Sequence, residues 1–89
     1  MYETGFSRTD EIGAVHCKMA RAGLALTIRG LAEITGLDKA TIVRFEAGQS
    51  ARRETVTRIR AALEKEGACF LLDQEDGRIV VAVGRGSSG

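Results

Sequence analysis

The sequence predicts a small, mainly α domain in which four short helices are followed by a C-terminal β-hairpin. Between Asp10 and Lys65, apolar residues recur at spacings of three and four, in blocks separated by glycines. After Gly67 that period gives way to two β-rich runs around Asp76-Gly77. The chain has 89 residues, enough for one core but near the size where its stability is marginal, so every apolar face needs a partner.

Residues 1–9 show no period and are expected to fray. Residues 10–66 form the helical domain. In its first helix, Asp10 to Ala22, Ile12, Val15, Met19 and Ala22 make one apolar face, and Gly23 ends it. Thr27 caps a second helix, Ile28 to Thr35, with Leu31 and Ile34 inward and Gly36 just past its end. Asp38 caps a third, Lys39 to Ala47, whose Ile42 and Phe45 face inward and whose stop is Gly48. The fourth runs from Arg53 to Lys65 on the stripe Val56, Ile59 and Leu63, closed by Gly67. Helices this short do not hold alone in water and must pack on one another.

Residues 67–84 read as a hairpin with strands Cys69 to Asp73 and Arg78 to Val83. A two-residue Asp76-Gly77 turn places Glu75 opposite Arg78, Asp73 opposite Val80, Leu72 opposite Val81 and Phe70 opposite Val83. One face then gathers Phe70, Leu72, Ile79, Val81 and Val83, and the other Cys69, Leu71, Val80 and Ala82. A small helical body covers only one of them, so the remaining face or an unpaired edge strand is expected to meet a second copy; the hairpin then serves as a dimerisation element, for which Phe70, Leu72, Ile79, Val81 and Val83 are the candidate residues, with the face or edge used left open. The alternative is a hairpin folded onto the first and fourth helices of its own chain. Residues 85–89 read as a flexible tail by composition, which can include a cloning remnant.

Hydrophobic residues make up 44% and charged residues 28%, which fits a folded chain rather than a disordered one. No apolar run is long enough for a membrane span and the amino terminus lacks an apolar signal core, so the protein is expected to be cytoplasmic, without a membrane partner. Cys17 and Cys69 belong to no Cys-x-x-Cys pair and read as free thiols. His16 lies beside Cys17, but adjacent helix residues point about 100° apart and no further ligand accompanies them. No metal and no cofactor are expected. Nor does the sequence offer a nucleophile with its base, a Gly-rich phosphate loop after a strand, or a carboxylate pair, so it is not read as an enzyme.

Net charge is only +1, yet its distribution is uneven. Lys39, Arg44, Arg52, Arg53, Arg58 and Arg60 against Glu46 and Glu54 give the segment 39–60 a charge of +4, leaving −3 for the rest. Positive charge gathered in this way suits an anionic partner.

The two short helices on either side of Gly36 explain where that partner would sit. Glycine lets the chain turn sharply between them, and Ala32 is small enough for close approach, which makes a helix-turn-helix. Its second helix projects from the body. Lys39 and Arg44, about 140° apart around the axis, flank its outward face, and such a helix fits the DNA major groove.

These residues resemble the Xre-type helix-turn-helix regulators, the Cro and phage-repressor-like family. The matching string is Leu26, Leu31-Ala32-Glu33, Gly36-Leu37, Thr41-Ile42 and Phe45-Glu46-Ala47-Gly48, preceded by Arg21, over about Asp10 to Leu63. The resemblance implies that Lys39, Ala40, Thr41 and Arg44 face DNA bases. It implies phosphate contacts from Gln49, Ser50, Arg52 and Arg53, with which Thr27 and Arg29 are grouped. It also implies an Arg21–Glu46 pair joining the first helix to the third, in a structural role. Ile28 stands where many relatives carry a phosphate-binding glutamine, Gly30 lies inside a helix, and the hairpin replaces a fifth helix common in the family.

The expected function is therefore sequence-specific double-stranded DNA binding by a transcriptional regulator, a homodimeric repressor reading a near-palindromic operator. The alternative is an antitoxin or adaptor module that sequesters a protein partner, gripping it through the hairpin or the first nine residues.

Overall fold

A computed structural model describes residues 5–84, so the expectations for residues 1–4 and for the tail at 85–89 lie outside the described residues. In chain order the elements are β1 (Phe6–Arg8), α1 (Ala14–Gly23), α2 (Ile28–Thr35), α3 (Lys39–Glu46), α4 (Arg53–Glu66), β2 (Ala68–Asp73) and β3 (Ile79–Val83). Four helices and a three-stranded antiparallel sheet of order β1-β2-β3 thus make a mainly α domain with a C-terminal hairpin. Cys17 and Ala20 of α1, Leu31 of α2, Ile42 and Phe45 of α3, Ile59 and Leu63 of α4, and Phe70 of β2 meet in a single core. Among the described residues no helix is long and apolar enough to cross a membrane.

For the described part of residues 1–9, the strand β1 corrects the expectation of fraying. Phe6 pairs with Asp73, Ser7 with Leu72 and Arg8 with Leu71, and the Thr9 amide donates to the Phe70 carbonyl at 3.1 Å. Three residues carry too little pattern to signal a strand, and their partner lies at the far end of the chain.

Helix α1 begins four residues later than expected. Gly13 is its N-cap, and the Gly13 amide donates to His16 Nδ1 at 2.8 Å. Ile12 is buried ahead of the helix, but Val15 and Met19 of the expected apolar face are 60% and 49% exposed. The buried face is the narrow one of Cys17 and Ala20, whose small side chains let α1 sit close to its neighbours. Gly23 does not supply the left-handed residue that ends α1. That role falls to Ala25, at φ 58°, with the Leu26 amide closing back on the Arg21 carbonyl at 2.9 Å. Gly23 is needed for space, because a Cβ there would lie 2.8 Å from Val83 Cγ2.

Helix α2 has the expected bounds and its Thr27 cap, although Ile34 is 43% exposed rather than inward. At Gly30, which helix propensity does not explain, a Cβ would make tight contacts of 3.3 Å with Leu26 Cδ2 and with Thr27 Oγ1, the cap that receives the Gly30 amide, which a small shift of those side chains relieves.

The hairpin register is shifted by two residues from expectation. Phe70 lies opposite Val81, Leu72 opposite Ile79 and Ala68 opposite Val83. A two-residue turn of the expected kind needs positive φ at both central residues, whereas only Gly77 has it. Asp73 wins the competition: its carboxylate accepts from the Glu75 amide at 2.9 Å and its carbonyl from the Gly77 amide at 2.7 Å, so four residues, 74–77, form the loop. An even shift leaves the faces unchanged. The face carrying Phe70, Leu72, Ile79, Val81 and Val83 is turned onto α1 and α4 of the same chain, with Phe70 fully buried. Phe70 and Val81 are therefore not free for a dimer contact, Leu72 and Ile79 are half-buried, and Val83 remains 41% exposed. The outer face, with Leu71, Val80 and Ala82, and the open edge of β3 are what the sheet leaves uncovered.

Candidate nucleic-acid interface

The turn between α2 and α3 is set by Thr35 and Gly36. The buried Thr35 hydroxyl donates to the Leu31 carbonyl at 2.8 Å and accepts from the Leu37 amide at 3.2 Å. Gly36 takes the left-handed conformation at φ 76°, which a side chain would resist. Together they redirect the chain within three residues, and α3 leaves with Ile42, Phe45 and Glu46 against the body.

The expected capping by Asp38 is corrected. Its carbonyl accepts from the Thr41 amide at 3.0 Å, but its side chain makes no cap hydrogen bond and remains exposed. Tertiary contacts of Ile42 and Phe45 hold the helix start instead.

Glu46 is 6% exposed and lies between two residues of α1. Arg21 Nε donates to Oε2 and Nη2 to Oε1, both at 2.9 Å, while Arg21 Nη1 donates to the Leu26 carbonyl at 3.1 Å. Cys17, one turn before Arg21, donates its thiol to Glu46 Oε2 at 3.2 Å. Burial alone would raise the Glu46 carboxyl, but the hydrogen bonds from Arg21 and Cys17 outweigh it and hold the group below its ordinary range. The Cys17 thiol is pushed up to about 12 by burial first and then by the Glu46 carboxylate, so it stays protonated. The arrangement locks the orientation of α3 on α1. Cys17 was missed in the sequence, although its position four residues before Arg21 places both on one face of α1.

Opposite this lock, Lys39, Ala40 and Arg44 are exposed and Thr41 is half-buried at the rim. Thr27, Arg29, Gln49, Ser50, Arg52 and Arg53 are exposed as well. Thr27 Oγ1 is engaged as the α2 cap. The loop after α3 folds back on it, the Gln49 amide donating to the Arg44 carbonyl at 3.1 Å. Among the described residues the ion pairs use Arg21, Arg60 and Arg78, leaving Lys39, Arg44, Arg29, Arg52 and Arg53 without a carboxylate partner. Arg60 departs from the expected basic cluster: it is tied to Glu64 at 2.9 Å and to Asp10 at 3.7 Å. Arg58 is exposed beside Arg53 and Thr57 in a shallow depression on α4. Among the described residues no group of three or more His, Cys, Asp or Glu side chains is placed to hold a metal ion.

Val43 was also missed. It is 48% exposed on α3, and the angular arithmetic that placed Lys39 and Arg44 outward places it between them.

Compared with known proteins, the chain matches no family model, no curated protein and no solved structure.

Proposed function

We propose that this protein is a sequence-specific double-stranded DNA-binding regulator of transcription, acting in the cytoplasm as a dimeric repressor. The observation that carries the reading is α3: a helix held from behind by the Arg21–Glu46 pair, with Lys39, Ala40 and Arg44 facing out and no carboxylate among the described residues engaging its cations. Arginine recognises guanine by two parallel hydrogen bonds in the major groove, and lysine reaches a base or a phosphate. Arg29, Gln49, Ser50, Arg52 and Arg53 flank the helix as phosphate ligands that set its register without reading sequence.

A second copy would meet the chain at the β3 edge or at the outer sheet face, since α1 and α4 occupy the inner one. A two-fold dimer presents two recognition helices about 34 Å apart and reads a near-palindromic site.

Duplex binding titrated against salt tests the reading. The full chain should bind with a log–log salt dependence whose slope falls by about one unit in Arg52→Ala or Arg53→Ala. A chain that binds no duplex at any salt, but copurifies with one protein from its own cells, would instead support the antitoxin or adaptor reading.

A further inference from the structure

Helix α3 exposes one large apolar side chain that the fold does not use. Val43 is 48% exposed and is not among the residues packed on the core. It follows Lys39 by one turn and precedes Ala47 by one turn, while Ala40 and Arg44 form the neighbouring ridge. Val43 therefore lies on the exposed side of α3, between Lys39 and Arg44 around the axis and about 60° from Ala40, beside the small Ala40 and Ala47. The one carboxylate within α3, Glu46, is turned inward onto Arg21.

Single exposed apolar residues are ordinary on protein surfaces. Here the residue is β-branched, which disfavours a short helix, and it shares the exposed face with cations that call for an anionic partner. The DNA major groove offers both complements at once: phosphate rows at its walls and, at each thymine, a C5-methyl on its floor.

We propose that Val43, beside Ala40, contacts thymine C5-methyl groups and so selects T·A pairs within each half-site. The inference rests on the reading of α3 as the DNA-contacting helix, and names the chemistry that helix selects.

The test uses the full chain and duplexes drawn from its own selected sites, with thymines replaced one at a time by deoxyuridine. This exchange deletes the methyl and keeps every hydrogen-bonding group. At one or two positions wild type should lose about fourfold in affinity, the worth of one buried methyl. Val43→Ala, which removes an exposed side chain and favours the helix, should melt like wild type. It should bind the thymine and uracil forms equally at those positions, while keeping its other preferences. Selected sites that lack thymine, tolerance of uracil everywhere, or a penalty undiminished in Val43→Ala would overturn the inference and leave sequence-selective binding standing. Absence of any sequence selectivity would overturn both.

Discussion

Arg21 holds Glu46 by two hydrogen bonds of 2.9 Å, across the contact between α1 and α3. Removing the guanidinium in Arg21→Ala leaves a carboxylate that is 6% exposed without its cation. The expected loss of stability is about 2–3 kcal/mol, below the full figure for a buried pair because Arg21 itself reaches solvent. Urea unfolding should show that loss, while folded protein keeps its order of preference among DNA sites. Native stability with altered site choice would give Arg21 a reading role instead.

Acid should weaken the same contact. The folded-state Glu46 carboxyl lies below its ordinary value of 4.5, so its contribution is fully present above that value and disappears as pH falls through the lower folded one. Glu46→Gln should flatten this part of the stability curve between neutral and acid pH. Cys17, fully buried and with its thiol pushed up to about 12, should resist alkylation in the native protein and react only on unfolding.

Two substitutions at the end of α1 should act in opposite directions. Ala25 sits at φ 58°, where a Cβ is disfavoured, so Ala25→Gly should stabilise by about 0.5–1 kcal/mol. Gly23→Ala should destabilise by about 1–3 kcal/mol, because its Cβ would drive Val83 out of its place on α1. Thermal melts of the pair decide whether space or conformation governs each position.

Cutting the chain after Gly67 would remove Phe70 from the core, so the dimer needs a gentler test. Val80 is 39% exposed on the outer sheet face. Val80→Lys should leave the melt within about 0.5 kcal/mol of wild type, as surface changes do, and reduce the mass seen by light scattering from dimer to monomer at micromolar concentration. A wild-type chain that is already monomeric there contradicts the dimer.

The parts legible in the sequence were those fixed by nearby residues. Thr27 and Gly36 bound α2, and the spacing of Ile42 and Phe45 fixed which side of α3 faces the body. What stayed hidden was set by distant chain. Gly23 is explained only by Val83, and the strand at Phe6–Arg8 only by β2. In α1 the large Val15 and Met19 suggested the core face, whereas close packing selected the small Cys17 and Ala20. At the hairpin the Asp76-Gly77 signal was real, but Asp73 offered a competing local hydrogen bond that lengthened the loop. The Arg21–Glu46 pair entered the sequence reading through family resemblance, and its geometry adds Cys17 to it.

In the function proposed above, the outward face of α3 reads DNA sequence. Selection of bound sites from random duplexes at physiological salt tests it most directly, run in parallel on wild type and Arg44→Ala. Wild type should converge on two related half-sites about one helical turn apart, and Arg44→Ala should lose about 1–3 kcal/mol of discrimination at one guanine in each. Recovery of unrelated sequences by wild type, or of identical sites by both proteins, would contradict the claim.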